Sequence, residues 1–122
     1  HWDPHGDPLK AYLTSLDRLQ RDVADDVMVL PSHRLPFRGL HARLKELRDH
    51  HLARLDKIRN MVPVGGLLSG ADCMAGLFGS DLDGQQVYFA MGEALAHINY
   101  LCGIGEFEFV ETPQSYRYKR IR

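Results

Sequence analysis

The sequence predicts a mainly helical chain with a small β component. Three observations predict it. Apolar residues recur at steps of three and four over 9–23, 40–62 and 87–101. One short unbroken apolar run, Val27, Met28, Val29 and Leu30, ends at Pro31. Near the C-terminus, aromatic and charged residues alternate on both sides of Thr112-Pro113-Gln114-Ser115. Taken in order, these give an α-β-α segment over 1–64, then a second unit over 65–122 of helices followed by a β-hairpin.

The first helix starts at Asp7-Pro8, an N-cap acceptor followed by proline at the first helical position, where its missing N–H is harmless. Leu9, Leu13, Leu16 and Val23 carry its apolar face to about residue 24. Residues 27–30 are too short for a helix and contain two valines. They read as a strand buried on both faces. Pro36 and Gly39 mark the loop after it. Leu40, Leu44, Leu47, His51, Leu55, Ile58 and Val62 then form the stripe of a long amphipathic helix closed by Pro63 and Gly65-Gly66. A short helix is expected over 71–78. Asp81 or Asp83 caps a longer one over 84–102, with Val87, Met91, Ala94, Leu95, Ile98 and Leu101 inward. Phe107 and Phe109 alternate with glutamates, and Tyr116 and Tyr118 with Arg117 and Lys119. This predicts an acidic strand paired with a basic one. Helices followed by a hairpin read as a winged-helix-like unit.

The 122 residues carry a formal net charge of -1, with 44% hydrophobic and 25% charged residues. This balance provides no field for gathering nucleic acid or a membrane surface. No apolar stretch approaches the roughly 20 residues that span a bilayer. Cys73 and Cys102 lie among apolar neighbours and in no C-x-x-C, so buried free thiols in a reducing cytoplasm are expected. His1-Trp2-Asp3 offers neither an initiator Met nor an element start, which reads as a chain beginning partway through a longer protein.

His33, between two prolines and just past the predicted strand, is the leading candidate for chemistry. Strand carboxyl ends are where open α/β sheets build sites, and histidine is a common zinc ligand. A lone histidine on spacing alone reads as an ordinary loop residue. The stretch VLPSHRLPFRGLHARLKELRDHHLARLDKI resembles the closing segment of metallo-β-lactamase-fold hydrolases of the hydroxyacylglutathione hydrolase-like and β-lactamase-like protein 2 kind. The matching residues are Leu30, Pro31, His33, Pro36, Phe37, His50, His51, Arg54 and Leu55. DPLKAYLTSLDRL resembles the helix before that segment, and 65–122 is similar, more loosely, to a winged-helix tail. The resemblance implies a parent site with two metal ions, usually zinc, that activate hydroxide against a thioester or ester. It implies that His33 is a ligand of the second metal. Ser32 and Arg34 replace the usual flanking glycines, and the H-x-H-x-D-H motif is absent. His33 cannot make a catalytic site by itself. The expectation is therefore a C-terminal hydrolase segment, silent alone, whose partner is the missing N-terminal catalytic half of the same protein.

His51 falls on the apolar stripe and reads as a core or interface histidine with a hydrogen-bond partner, not as a ligand. Its neighbour His50 points about 100° away on a helix, so the two cannot share an ion. His41 reads as a flank or substrate-lining residue, and His1, Asp3, His5 and Asp7 as loop and cap residues. No Ser/His/Asp order and no phosphate loop is present. The rival reading is a free-standing winged-helix interaction or nucleic-acid-binding regulatory module. Against it, 85–102 holds no Lys or Arg and only Glu93 and His97 as ionisable groups besides Tyr and Cys. A degenerate family member kept as a scaffold is a third reading, and exposed apolar surface on an isolated segment predicts self-association, such as a homodimer.

Overall fold

A computed structural model describes residues 6–113 and 115–122. Four helices and three strands follow in the order α1 (Pro8–Asp22), α2 (Leu40–Arg59), β1 (Leu67–Leu68), α3 (Gly70–Phe78), α4 (Gly84–Gly103), β2 (Phe107–Thr112) and β3 (Ser115–Arg120). His1, Asp3 and His5 lie outside the described residues. No helix among those described is long and apolar enough to cross a membrane.

The starts of α1, α3 and α4 follow from a local acceptor. The Asp7 carboxylate takes the Lys10 N–H at 3.0 Å, with Pro8 in the first turn. Ser69 with Asp72, and Asp83 with Gln86, form reciprocal capping boxes at α3 and α4. Asp83→Ala should therefore lower stability by about 1 kcal/mol in chemical denaturation. Helix α2 has no cap from its own Gly39, which sits in the left-handed region (φ +86°). Asp25 reaches in from the preceding loop instead and accepts the His41 N–H at 2.8 Å.

The predicted buried strand at 27–30 does not form. A strand buried in a sheet needs neighbours on both edges. Among the described residues this run pairs only through a single antiparallel bridge between Val29 and Phe37, with N–H···O distances of 2.8 and 3.1 Å. Val27 and Val29 lean on the core, but Leu30 is 77% exposed and Met28 is 50% exposed.

The C-terminal hairpin pairs β2 with β3 in the predicted sense, Glu108 opposite Lys119 and Phe109 opposite Tyr118. Strand β1 adds to the other side of β3, so the sheet order is β1-β3-β2. One continuous core joins the two halves of the chain. Leu9, Leu13, Leu44, Leu55 and Ile58 pack with Leu68, Cys73, Ala94, Ile98, Leu101, Phe107 and Tyr118. Both cysteines are free thiols, and burial pushes them up, Cys73 to about 12 and Cys102 to about 11.

Arginines near the C-terminus lock the helix ends to the sheet. Arg120 Nη1 donates to the Arg59 and Val62 carbonyls, at 2.7 and 3.0 Å, where α2 ends. Arg122 donates to the Ile104 and Gly105 carbonyls just past α4. Carbonyls at a helix C-terminus are left unpaired by the helix itself, and a cation there is also favoured electrostatically. Arg59 in turn forms a two-pronged pair with Glu106, at 2.8 and 2.9 Å, which holds the Glu106 carboxyl below its usual range.

Candidate functional site

Two places carry ligating side chains. The first is the loop of His33. The Val29–Phe37 bridge closes its base. Arg38 Nη1 donates to the Asp26 carbonyl at 2.8 Å, and His41 Nε2 donates to the Val23 carbonyl at 2.8 Å. A carbonyl only accepts, so that His41 nitrogen carries the proton and is not free to ligate. His41 is thus an anchor of the loop rather than the flank or lining residue its sequence position suggests. The loop itself projects from this pinned base. His33 is exposed at its tip, between the exposed Leu30 and Leu35, the latter 86% exposed.

The second place is a cleft of about 340 Å³ between α1, α2 and α4, lined by Pro8, Leu9, Tyr12, His51, Glu93, Ala96 and His97. His97 is fully buried. Its Nδ1 lies 2.7 Å from the Glu93 carbonyl one turn back, so Nδ1 must donate. Its Nε2 lies 3.0 Å from His51 Nδ1. The rings stack at 5.1 Å between centroids, and Tyr12 meets His51 edge-on at 5.1 Å. The Glu93 carboxylate is held by Arg54 at 3.1 Å, and the Arg54 guanidinium also lies over the Phe78 ring. Ligating atoms of His51, Glu93 and His97 all fall within 4.8 Å of one another. Among the described residues this is the one group of three or more His, Cys, Asp or Glu side chains gathered closely enough to hold an ion. His33 does not belong to it.

The apolar stripe of α2 pointed to a partner for His51 without identifying it. His97 lies one residue from Ile98 on the buried face, and its four-residue step from Glu93 is visible in the sequence. Its meeting with His51 depends on how α2 and α4 pack.

Burial lowers the basicity of both histidines. For His51 the neighbouring His97 adds to the effect. In the unfolded chain each returns to about 6.5, the ordinary value. The unfolded state therefore binds more protons as pH falls below that value, and folding stability drops with acidification until the lowered folded values are passed. Urea unfolding of chelator-treated protein should show lower stability at about pH 5.5 than at about pH 7.5, with a smaller difference in His51→Gln.

Comparisons with known proteins locate this architecture. Residues 55–121 match the family model "Metallo-beta-lactamase-like, C-terminal domain". The fold is similar to that of a β-lactamase domain protein from Burkholderia ambifaria, with a TM-score of 0.87 and 40% identity. That match covers 97% of this chain and 35% of the other. It is also similar to a metallo-β-lactamase family protein from Thermus thermophilus, with a TM-score of 0.73 and 32% identity, over 93% of this chain and 34% of the other. The chain thus spans about a third of the length of either protein. A search of curated proteins returned no match. With its helical core, three-stranded sheet and 55–121 match in agreement, the chain belongs to the metallo-β-lactamase-like family, in its C-terminal domain.

Proposed function

We propose that this chain is the C-terminal part of a metal-dependent hydrolase that cleaves a thioester or ester, and that His33 contributes a ring nitrogen to the second metal of the complete site. The observation that carries the reading is the His33 loop. Its base is fixed by a backbone bridge and by the His41 and Arg38 anchors, while its tip offers an exposed histidine flanked by exposed leucines. Exposed Leu30 and Leu35 suit a surface that the N-terminal half covers. The donor chemistry fits zinc, with the remaining ligands supplied by that other half. When bound, such a metal pair supplies a hydroxide nucleophile at neutral pH. This chain's part is to hold one nitrogen in place through a loop that cannot drift from α2.

We read residues 65–122 as a winged-helix-like unit. The order α2-β1-α3-α4-β2-β3 and the β1-β3-β2 sheet support that reading. Its role here is structural or at the substrate side, because α4 presents no Lys or Arg and Glu108 stands opposite Lys119. A cytoplasmic location belongs to the same proposal and rests on the two free thiols. The test is hydrolysis of a panel of thioesters and esters by the gene product that carries this segment, before and after chelation. Turnover that is lost on chelation and restored by zinc is expected. No turnover, together with tight duplex binding that weakens steeply with salt, would replace the reading with the regulatory-module one.

A further inference from the structure

The His51–Glu93–His97 cleft is separate from the His33 loop and does not depend on the hydrolase reading. We propose that His51, His97 and Glu93 form a binding site for a divalent transition-metal ion, zinc-like in preference, that ties α2 to α4. Four observations carry it. His97 donates Nδ1–H to the Glu93 carbonyl, so its lone pair sits on Nε2 and its ring is fixed, the orientation that ligating histidines commonly receive from an outer partner. That lone pair converges with His51 Nδ1 at 3.0 Å, close to the roughly 3.3 Å separating two imidazole nitrogens on a tetrahedral zinc ion. The Glu93 carboxylate, 4.0 Å from His97 Nδ1, is the third member of the group whose ligating atoms lie within 4.8 Å of one another. The cleft of about 340 Å³ that His51, Glu93 and His97 line is open to solvent, which gives the ion a way in.

In the metal-free state His51 Nδ1–H donates to His97 Nε2. Metal binding moves that proton to His51 Nε2 through solvent, leaving both facing nitrogens free to ligate. The two imidazole donors favour zinc, copper or nickel over calcium and magnesium. Arg54 opposes the site, because its guanidinium holds the same Glu93 carboxylate and adds a positive charge nearby.

The test uses protein labelled with ¹⁵N in its histidine rings, stripped with chelator and titrated with Zn²⁺. The ring nitrogens of His51 and His97 should shift in a saturable step of one equivalent, and those of His41 and His50 should not. His51→Ala should weaken this step at least about 100-fold, and Glu93→Gln about 10-fold. Arg54→Gln should tighten it several-fold, a gain that loss of folding cannot produce. His33→Ala should leave the step unchanged, which keeps it distinct from the proposed catalytic site. Ring signals of His51 and His97 that ignore one equivalent of Zn²⁺ would overturn the proposal. So would equal affinity in His51→Ala.

Discussion

Phe107→Ala lowers the stability of the chain by about 3–5 kcal/mol. Phe107 opens β2, is 2% exposed and belongs to the core shared by α2, α4 and the sheet. Removing its ring leaves a void in this buried core, which adds a cavity cost to the lost burial. Against a total of about 5–15 kcal/mol for a domain, the loss is a large share, visible as a lower denaturant midpoint. Tyr118, in the same core and 1% exposed, behaves oppositely. Its hydroxyl is buried with no hydrogen-bond partner among the described residues, and burial holds it protonated. Tyr118→Phe keeps the ring against Phe109 and removes the unpaired oxygen, so stability should rise, by about 1–3 kcal/mol at most. A destabilised Tyr118→Phe would mean that the hydroxyl is satisfied after all.

The largest effect on activity is expected at His33. In the gene product carrying this segment, His33→Ala should reduce hydrolysis at least about 100-fold, more than is usual for an outer-shell residue. The fold should hardly notice, because His33 is exposed at the loop tip and such positions change stability within about 0.5 kcal/mol. Near-normal thermal unfolding with collapsed turnover separates a ligand from a structural residue. His41→Ala should do the reverse in part. It removes the bond to the Val23 carbonyl and loosens the loop base, so stability and turnover fall together.

The helices were legible in the sequence because their signals are local. Asp7-Pro8, Asp83 with Gln86, and leucines at steps of three and four each lie within a turn or two of what they specify. The hairpin was legible for the same reason. Strand β1 was not, since two leucines become a strand only by pairing with Tyr118 and Lys119, some fifty residues later. The apolar run at 27–30 misled in the opposite sense: its composition suits a buried strand, yet only Phe37 pairs with it among the described residues. The assignment of His33 as a ligand rests on resemblance rather than on spacing. The His51–His97 pair escaped because an apolar-stripe reading treats each helix alone, whereas the pair exists only where α2 crosses α4.

Ligation by His33 is tested by a zinc-edge anomalous diffraction map of the intact gene product that carries this segment. An anomalous peak is expected at bonding distance from a ring nitrogen of His33, about 2.0–2.1 Å. Zinc bound elsewhere in the catalytic half, with His33 left in solvent, would contradict it.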